Sequence, residues 1–403
     1  MPELPLSGIR VLDLSKVLAG PMCAQYLGDM GADVVKIESI GLGDDTRYMP
    51  PLRTTGDASA GAVFLSANRN KRSIAIDMGS AAGRDVIYRL AKQADVSISS
   101  FGPGVAKKLG IDATILRAGN PRLICCEISG FGSVGPMRLG KGYDVILQAF
   151  TGMLSMTGEP GGPPVRSPFS PVDQATGLHA MSGILAALYQ RERSGAGCTV
   201  EASLFDTATG FLSSALQNYW ERKTEPEKAG SGHESLCPYQ AFDTADKPLI
   251  LGVANDALWA KFCALAGLDA IRDDPRFRSN ADRVQHRAET VALVRAALAT
   301  QPRDTWLPLL DAAGIPVSPV NTLGELSSHP HTGESGMKFD YQHPALGPLQ
   351  GVAQPLRLDG QRAAMQRPPP MHGEHSAEIL AEFGFSTEEI QALAAAGTVQ
   401  THP

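Results

Sequence analysis

The chain has 403 residues, 43% of them hydrophobic and 19% charged, with a formal net charge of −6. Such a chain can bury a substantial core across two domains, and nothing in it points to disorder. The acidic balance argues against a general nucleic-acid binder, which needs a clustered positive field, but leaves room for an anionic small ligand held by a local group of Lys and Arg. The N-terminus shows no basic region followed by an apolar run, and no apolar stretch approaches the roughly 20 residues of a membrane span. Neither a signal peptide nor membrane attachment is expected. The six cysteines (Cys23, Cys125, Cys126, Cys198, Cys237, Cys263) show no Cys-x-x-Cys pair or metal-ligand spacing. They read as reduced core thiols of a cytosolic protein, with no metal site expected.

In chain order, Ile9–Leu14, Asp33–Glu38, Ser73–Met78, Asp95–Phe101 and Leu123–Ile128 are short Val/Ile-rich runs that read as buried strands. Met22–Met30 and Ala82–Ala94 read as the helices between them. In the second, Val86, Ile87, Leu90, Ala91 and Ala94 form an apolar stripe opposite Arg84, Asp85 and Lys92. Alternating strand and helix implies a parallel sheet covered on both faces, a Rossmann-like α/β domain. The turn after the first strand, Ser15-Lys16-Val17-Leu18-Ala19-Gly20-Pro21, lacks the glycine fingerprint of dinucleotide enzymes, so NAD and FAD are not expected. A helical region is predicted from about Tyr143 to Tyr219, broken by the Gly/Pro-rich Gly158–Pro171 and followed by a linker-like stretch at Glu221–His233. Pro238–Ala254 reads as strand, turn, strand. Helices at Asp256–Ala266, Arg287–Thr300 and Asp304–Ala313 then complete a smaller α+β domain, and a terminal helix is expected at about Ser376–Ala394.

Asp173 lies in Ser170-Pro171-Val172-Asp173-Gln174-Ala175-Thr176-Gly177, directly at a helix start. It is either an N-cap or an anionic nucleophile favoured by the helix dipole. With a reference pKa of roughly 4, such a carboxylate is ionised at neutral pH and needs no partner base. The basic cluster Asn68-Arg69-Asn70-Lys71-Arg72 is either a solvated loop or a phosphate contact; Lys107, Lys108 and Lys141 hint weakly at the same role, and Arg47 faces the same ligand or none. His372-Gly373-Glu374-His375 reads as a turn, Cys125 and Cys126 as core, and His179 as structural. Ser129 and Ser203 lack a nucleophile elbow.

Several segments, in order, resemble the family III CoA-transferases of formyl-CoA/carnitine type. They are Gly8–Leu14, Ala19-Gly20-Pro21, Gly31–Glu38, Asn68–Ser73, Asn120–Ile124, Ser129-Gly130-Phe131-Gly132, Gly142-Tyr143-Asp144, Asp173 with Thr176-Gly177, Asp274–Phe277, Gly314–Val317, Pro319-Val320-Asn321 and Gly373-Glu374-His375. The resemblance implies an interlocked homodimer. It further implies a large CoA-binding domain from residues 1–220, a small domain at 225–325, and a segment 326–403 that returns to the large one. It makes Asp173 the nucleophile, which attacks a donor thioester to give a mixed anhydride and CoA thiolate, with coenzyme A as co-substrate.

By the same resemblance Leu18, Ala19, Ser39, Ile76, Ser100, Phe101, Gly102, Lys108, Lys141 and Tyr143 are expected at CoA. Lys108 stands where the family often has arginine, which keeps the charge but loses the planar fork. Ser39, Ser100 and Gly102 stand where many members carry arginine, asparagine and a basic or polar residue. Leu18 replaces the glutamine of formyl-CoA transferases, and Gly230–Ser235 lacks their four-glycine loop. Both departures turn the expectation toward dicarboxylic acids such as succinate, with Arg47, Gly232 and His233 as substrate contacts. The rival activities are an α-methylacyl-CoA racemase, which typically has histidine where this chain has Tyr143, and a non-catalytic CoA-binding subunit.

Overall fold

The computed structural model describes residues 4–401. It divides into two compact units, one built from the chain up to Thr151 with Ser167–Asn218 and the chain from Pro330 onward, the other from Gly152–Arg166 and Tyr219–His329.

A seven-stranded sheet organises the first unit. Its strands are β1 (Arg10–Leu14), β2 (Asp33–Ser39), β3 (Lys71–Ile76), β4 (Val96–Ser99), β5 (Ile124–Ser129), β6 (Thr199–Ser203) and β7 (Val399–Gln400). Their spatial order is β7-β3-β2-β1-β4-β5-β6. All neighbours pair in parallel except β7, which runs antiparallel to β3. The six parallel strands follow the order of dinucleotide-binding sheets, in which the direction of winding reverses between β1 and β4 and ligands sit beyond the carboxyl ends of the strands. Near-continuous apolar runs make these strands because both faces are covered: Val11, Leu12, Val35, Ile37, Ile74 and Ile98 are almost wholly buried. Helix α1 (Ala19–Asp29) leaves the end of β1, and α2 (Ala81–Ala91) buries the expected stripe of Val86, Ile87, Leu90 and Ala91.

The long helical region expected after Tyr143 is instead interrupted by β6, and the expected terminal helix is two helices, Ser376–Glu382 and Thr387–Ala395. In the second unit Tyr239–Phe242 and Leu249–Gly252 form the expected hairpin, joined by Val317–Pro319 into a three-stranded sheet. Trp259, Phe262, Phe277, Trp306 and Leu310 pack in its core.

The basic cluster is neither a solvated loop nor a free phosphate site. All of Asn68 to Arg72 is buried. Arg69 forms a two-pronged pair with Asp29, at 2.8 and 2.6 Å. Arg72 reaches Asp33 at 2.7 Å, Glu378 at 2.9 Å and Glu382 at 2.7 Å. Lys71 Nζ meets Asp13 at 2.8 Å and also donates to the carbonyl of Pro21 and to Asn68 Oδ1. A second buried cation, Lys36, lies 3.0 Å from Asp44 and donates to the carbonyl of Ser15 at 3.0 Å. Arg47, expected at the substrate, is also interior. Two of its nitrogens hold Glu38 at 2.9 and 2.7 Å, a third donates to the carbonyl of Pro370, and the guanidinium sits 3.7 Å from the centre of the Phe64 ring. Burial pushes the Glu38 carboxyl up, but this pairing outweighs it and holds it at about 2.

Removing one partner of a buried pair strands the other charge. Lys71→Ala is therefore expected to destabilise the fold by roughly 3–5 kcal/mol, measured by denaturant unfolding, whereas Arg89→Ala, which breaks a largely exposed pair with Glu389, should change stability by no more than about 1 kcal/mol.

Candidate active site

Asp173 lies in the first turn of α4 (Pro171–Ser194), a helix that packs against α3 (Asp144–Phe150) and α5 (Leu204–Phe211). Helix α4 crosses α1 so closely that a Cβ on Gly177 would lie 2.6 Å from the carbonyl oxygen of Ala19, the first residue of α1. Asp173 is one turn earlier on the same face of α4. The nucleophile candidate is thereby set toward the carboxyl end of β1, where α1 starts. Gly142 packs against the backbone of Gly130, a contact of 2.5 Å for any added Cβ, and this brings Tyr143 and Asp144 beside the end of β5.

Asp173 is not the N-cap. Ser170 holds that position in a left-handed conformation, φ 51° and ψ 59°, and its side chain caps nothing. The cap comes from another helix: Asp144 Oδ2 accepts the N–H groups of Val172 at 2.8 Å and of Asp173 at 3.1 Å. Asp144 Oδ1 accepts the side-chain amide of Gln148, whose own oxygen accepts the N–H of Ser167 at 3.0 Å. Among the described residues, no hydrogen bond or ion pair ends on the Asp173 carboxylate. Burial, and secondarily the negative Asp144, push its carboxyl up from 3.8 to about 7. The expectation that it ionises unaided at neutral pH is corrected accordingly, since burial favours its protonated form. Asp144 is the residue that sequence reasoning passed over, although it ends the Gly142-Tyr143-Asp144 motif.

Leu18 precedes α1 and Ala19 opens it, while Ser100, Phe101 and Gly102 follow β4. These residues flank the point where the sheet winding reverses, and the Lys16 N–H donating to Ser100 Oγ at 2.9 Å ties the two loops together. Val17 adopts φ 71°, unusual for a branched side chain. Ser39 ends β2, its carbonyl accepting from the His372 ring at 3.0 Å. Ile76 ends β3 but is wholly buried among core residues, so its side chain offers a ligand no surface. Lys108, Lys141 and Tyr143 are exposed. Gly232 and His233 belong to the second unit, where His233 Nδ1 accepts the N–H of Ser235 at 3.1 Å. His179 contacts Thr207 Oγ1 at 3.1 Å, and His372–His375 form a turn.

The parallel sheet with its crossover point, and a carboxylate free of hydrogen bonds in the first turn of α4, are the features the family comparison bears on. The chain belongs to CoA-transferase family III, whose model matches residues 6–376. It is thus a CoA-transferase, with coenzyme A as co-substrate. It is 36% identical over 400 residues to the succinyl-CoA:glutarate CoA-transferase of Mus musculus, covering 99% of this chain and 91% of the relative. It is 37% identical over 382 residues to the succinate–glutarate CoA-transferase of Agrobacterium fabrum, covering 94% and 96%. A crystal structure of a CaiB/BaiF family protein from Brucella suis superposes with a TM-score of 0.88 at 36% identity, covering 94% of this chain and all of that one.

The raised pKa fixes the sign of a stability effect. The folded chain favours the protonated carboxyl, so this group supports folding below its unfolded value near 4 and opposes it increasingly as pH rises to about 7. Asp173→Asn should therefore raise the apparent Tm by about a few degrees at pH 8 and leave it unchanged near pH 4, read by thermal unfolding at both values.

Proposed function

We propose that this chain moves CoA from a dicarboxylic acyl-CoA such as succinyl-CoA to a free dicarboxylic acid, with Asp173 as the nucleophile. The observation that carries this reading is the half-buried Asp173 carboxylate with no protein partner, in the first turn of α4. The activities of the mouse and Agrobacterium relatives support the substrate class.

The carboxylate oxygen attacks the thioester carbonyl, the C–S bond breaks, and CoA leaves as a thiolate, giving an aspartyl-acyl anhydride. The acceptor carboxylate attacks the aspartyl carbonyl and expels the donor acid, which carries away an oxygen that began on Asp173. CoA thiolate then attacks the acceptor's carbonyl, forming the new thioester and freeing Asp173. Each step preserves the acyl activation that hydrolysis would destroy, so the site must exclude water. Helix α1 opens without a side-chain cap, leaving its first N–H groups for the tetrahedral oxyanion. Leu18, Ala19, Ser39, Ser100, Phe101, Gly102, Lys108, Lys141 and Tyr143 remain the proposed CoA contacts. Gly232 and His233 remain the proposed substrate contacts. The active form is proposed to be an interlocked homodimer, which would cover exposed apolar side chains such as Val134 at 79%, Leu139 at 71% and Phe169 at 64%. Six unpaired thiols suit a cytosolic setting.

Incubation with succinyl-CoA and a panel of carboxylic acids should yield new CoA thioesters by mass spectrometry, falling by about a thousandfold or more in Asp173→Ala. With an acceptor labelled with ¹⁸O in its carboxylate, the peptide containing Asp173 should gain the label. Undiminished transfer by the mutant would sink the assignment, and α-proton exchange on a 2-methylacyl-CoA without transfer would replace it with a racemase.

A further inference from the structure

We propose that Asp144 is a positioning residue for the transfer reaction: by capping α4 from outside, it keeps the Asp173 carboxylate off its own helix terminus and free for the substrate. This rests on the reading of Asp173 as nucleophile.

A helix start presents unsatisfied N–H groups and a partial positive charge. Asp173 is the third residue of α4, in the first turn, where N–H groups lack intrahelical partners and attract a nearby carboxylate. Ser170 in its left-handed conformation supplies no side-chain cap, so the N–H groups of Val172 and Asp173 would draw the nearest carboxylate. In the folded chain that carboxylate is the buried Asp144, reached across from α3. Gln148 holds Asp144 from the other side and, through Ser167, fixes the chain leading into Ser170. Asp144 is thus spent entirely on protein partners, and Asp173 on none.

The charges around Asp173 are few. Besides burial, Asp144 is the one group acting on its titration. The first turn of α1 carries no acidic residue, the remainder of α3 is uncharged, and His179 is turned to Thr207 on α5. Removing Asp144 therefore has two separable consequences. Asp173 is drawn back to the vacated N–H groups, and loss of the neighbouring negative charge lowers its pKa.

The test compares the full-length parent, Asp144→Ala and Asp144→Asn, by steady-state transfer kinetics and by ¹³C NMR titration of the Asp173 side chain, assigned against Asp173→Asn. Asp144→Ala should lower kcat by about a hundredfold, as expected for a misplaced reacting group, with KM for the acyl-CoA little changed and the titration lowered by at least about one pH unit. Asp144→Asn keeps an oxygen to accept the N–H groups, so it should recover most of kcat while still lowering the titration. A titration that stays near 7 in both variants, or a kcat that falls only with the folded fraction, would overturn the proposal. The NMR readout does not depend on turnover, so a failure of Asp173 as nucleophile, seen as transfer retained in Asp173→Ala, is recognised separately.

Discussion

The buried pairing of Lys71 with Asp13 is the constraint on which the rest of the first unit depends. It links the central strand β1 to β3 across β2, and the same ammonium donates its remaining hydrogen bonds to the carbonyl of Pro21 in α1 and to Asn68 Oδ1. Lys36, one strand over, binds Asp44 and the carbonyl of Ser15, so the loop leaving β1 is held by charge from below. Desolvating so many ions is costly, and the cost is offset only because nearly every donor and acceptor is matched. The result is a loop from Ser15 to Leu18 whose shape, including the left-handed Val17, is imposed by its surroundings. Helix α1 must start where that loop ends, and α4 is located by its contact with α1 at Gly177. The position of Asp173 is therefore inherited, through two helices, from an ion network it never touches.

How much of this could be read from the sequence depends on the range of the cause. Strands β1 to β5 were legible because each is a local run of Val and Ile buried on both faces. Strand β6, Thr-Val-Glu-Ala-Ser, lies at the sheet edge with Thr199 and Glu201 exposed, so it carries no such run. Strand β7 is two residues long and has no pattern at all. The terminal helix was expected whole because its apolar spacing continues past Gly384, yet that glycine sits at φ 84° and breaks it.

The basic cluster was misread for a different reason. Its partners include Asp29 and Asp33, and also Glu378 and Glu382 some 300 positions away, and charge spacing alone does not distinguish a solvated face from a buried ionic staple. Arg47 is likewise held in the interior, by Glu38 and the carbonyl of Pro370. Asp173 stood out through family resemblance, since an acid near a helix start is most simply a cap. What separates a cap from the proposed nucleophile is the presence of Asp144, which belongs to a different helix.

That division of labour between two carboxylates also bears on the chemistry. In the proposed reaction an acyl anhydride forms faster from a more basic carboxylate, and burial raises the basicity of Asp173 above that of an ordinary dissolved acid. The same burial makes the ionised form scarcer near neutrality, so the gain in nucleophilicity and the loss in ionised fraction oppose each other. A pKa near the working pH is where that compromise is least costly, as it is for general acids and bases. Asp144 contributes to both sides: its charge raises the basicity of Asp173, and its hydrogen bonds remove the one local interaction that would have lowered it. Were Asp173 to cap its own helix, it would be fully ionised at neutral pH but a poorer nucleophile, held by donors it would have to abandon before attacking a thioester.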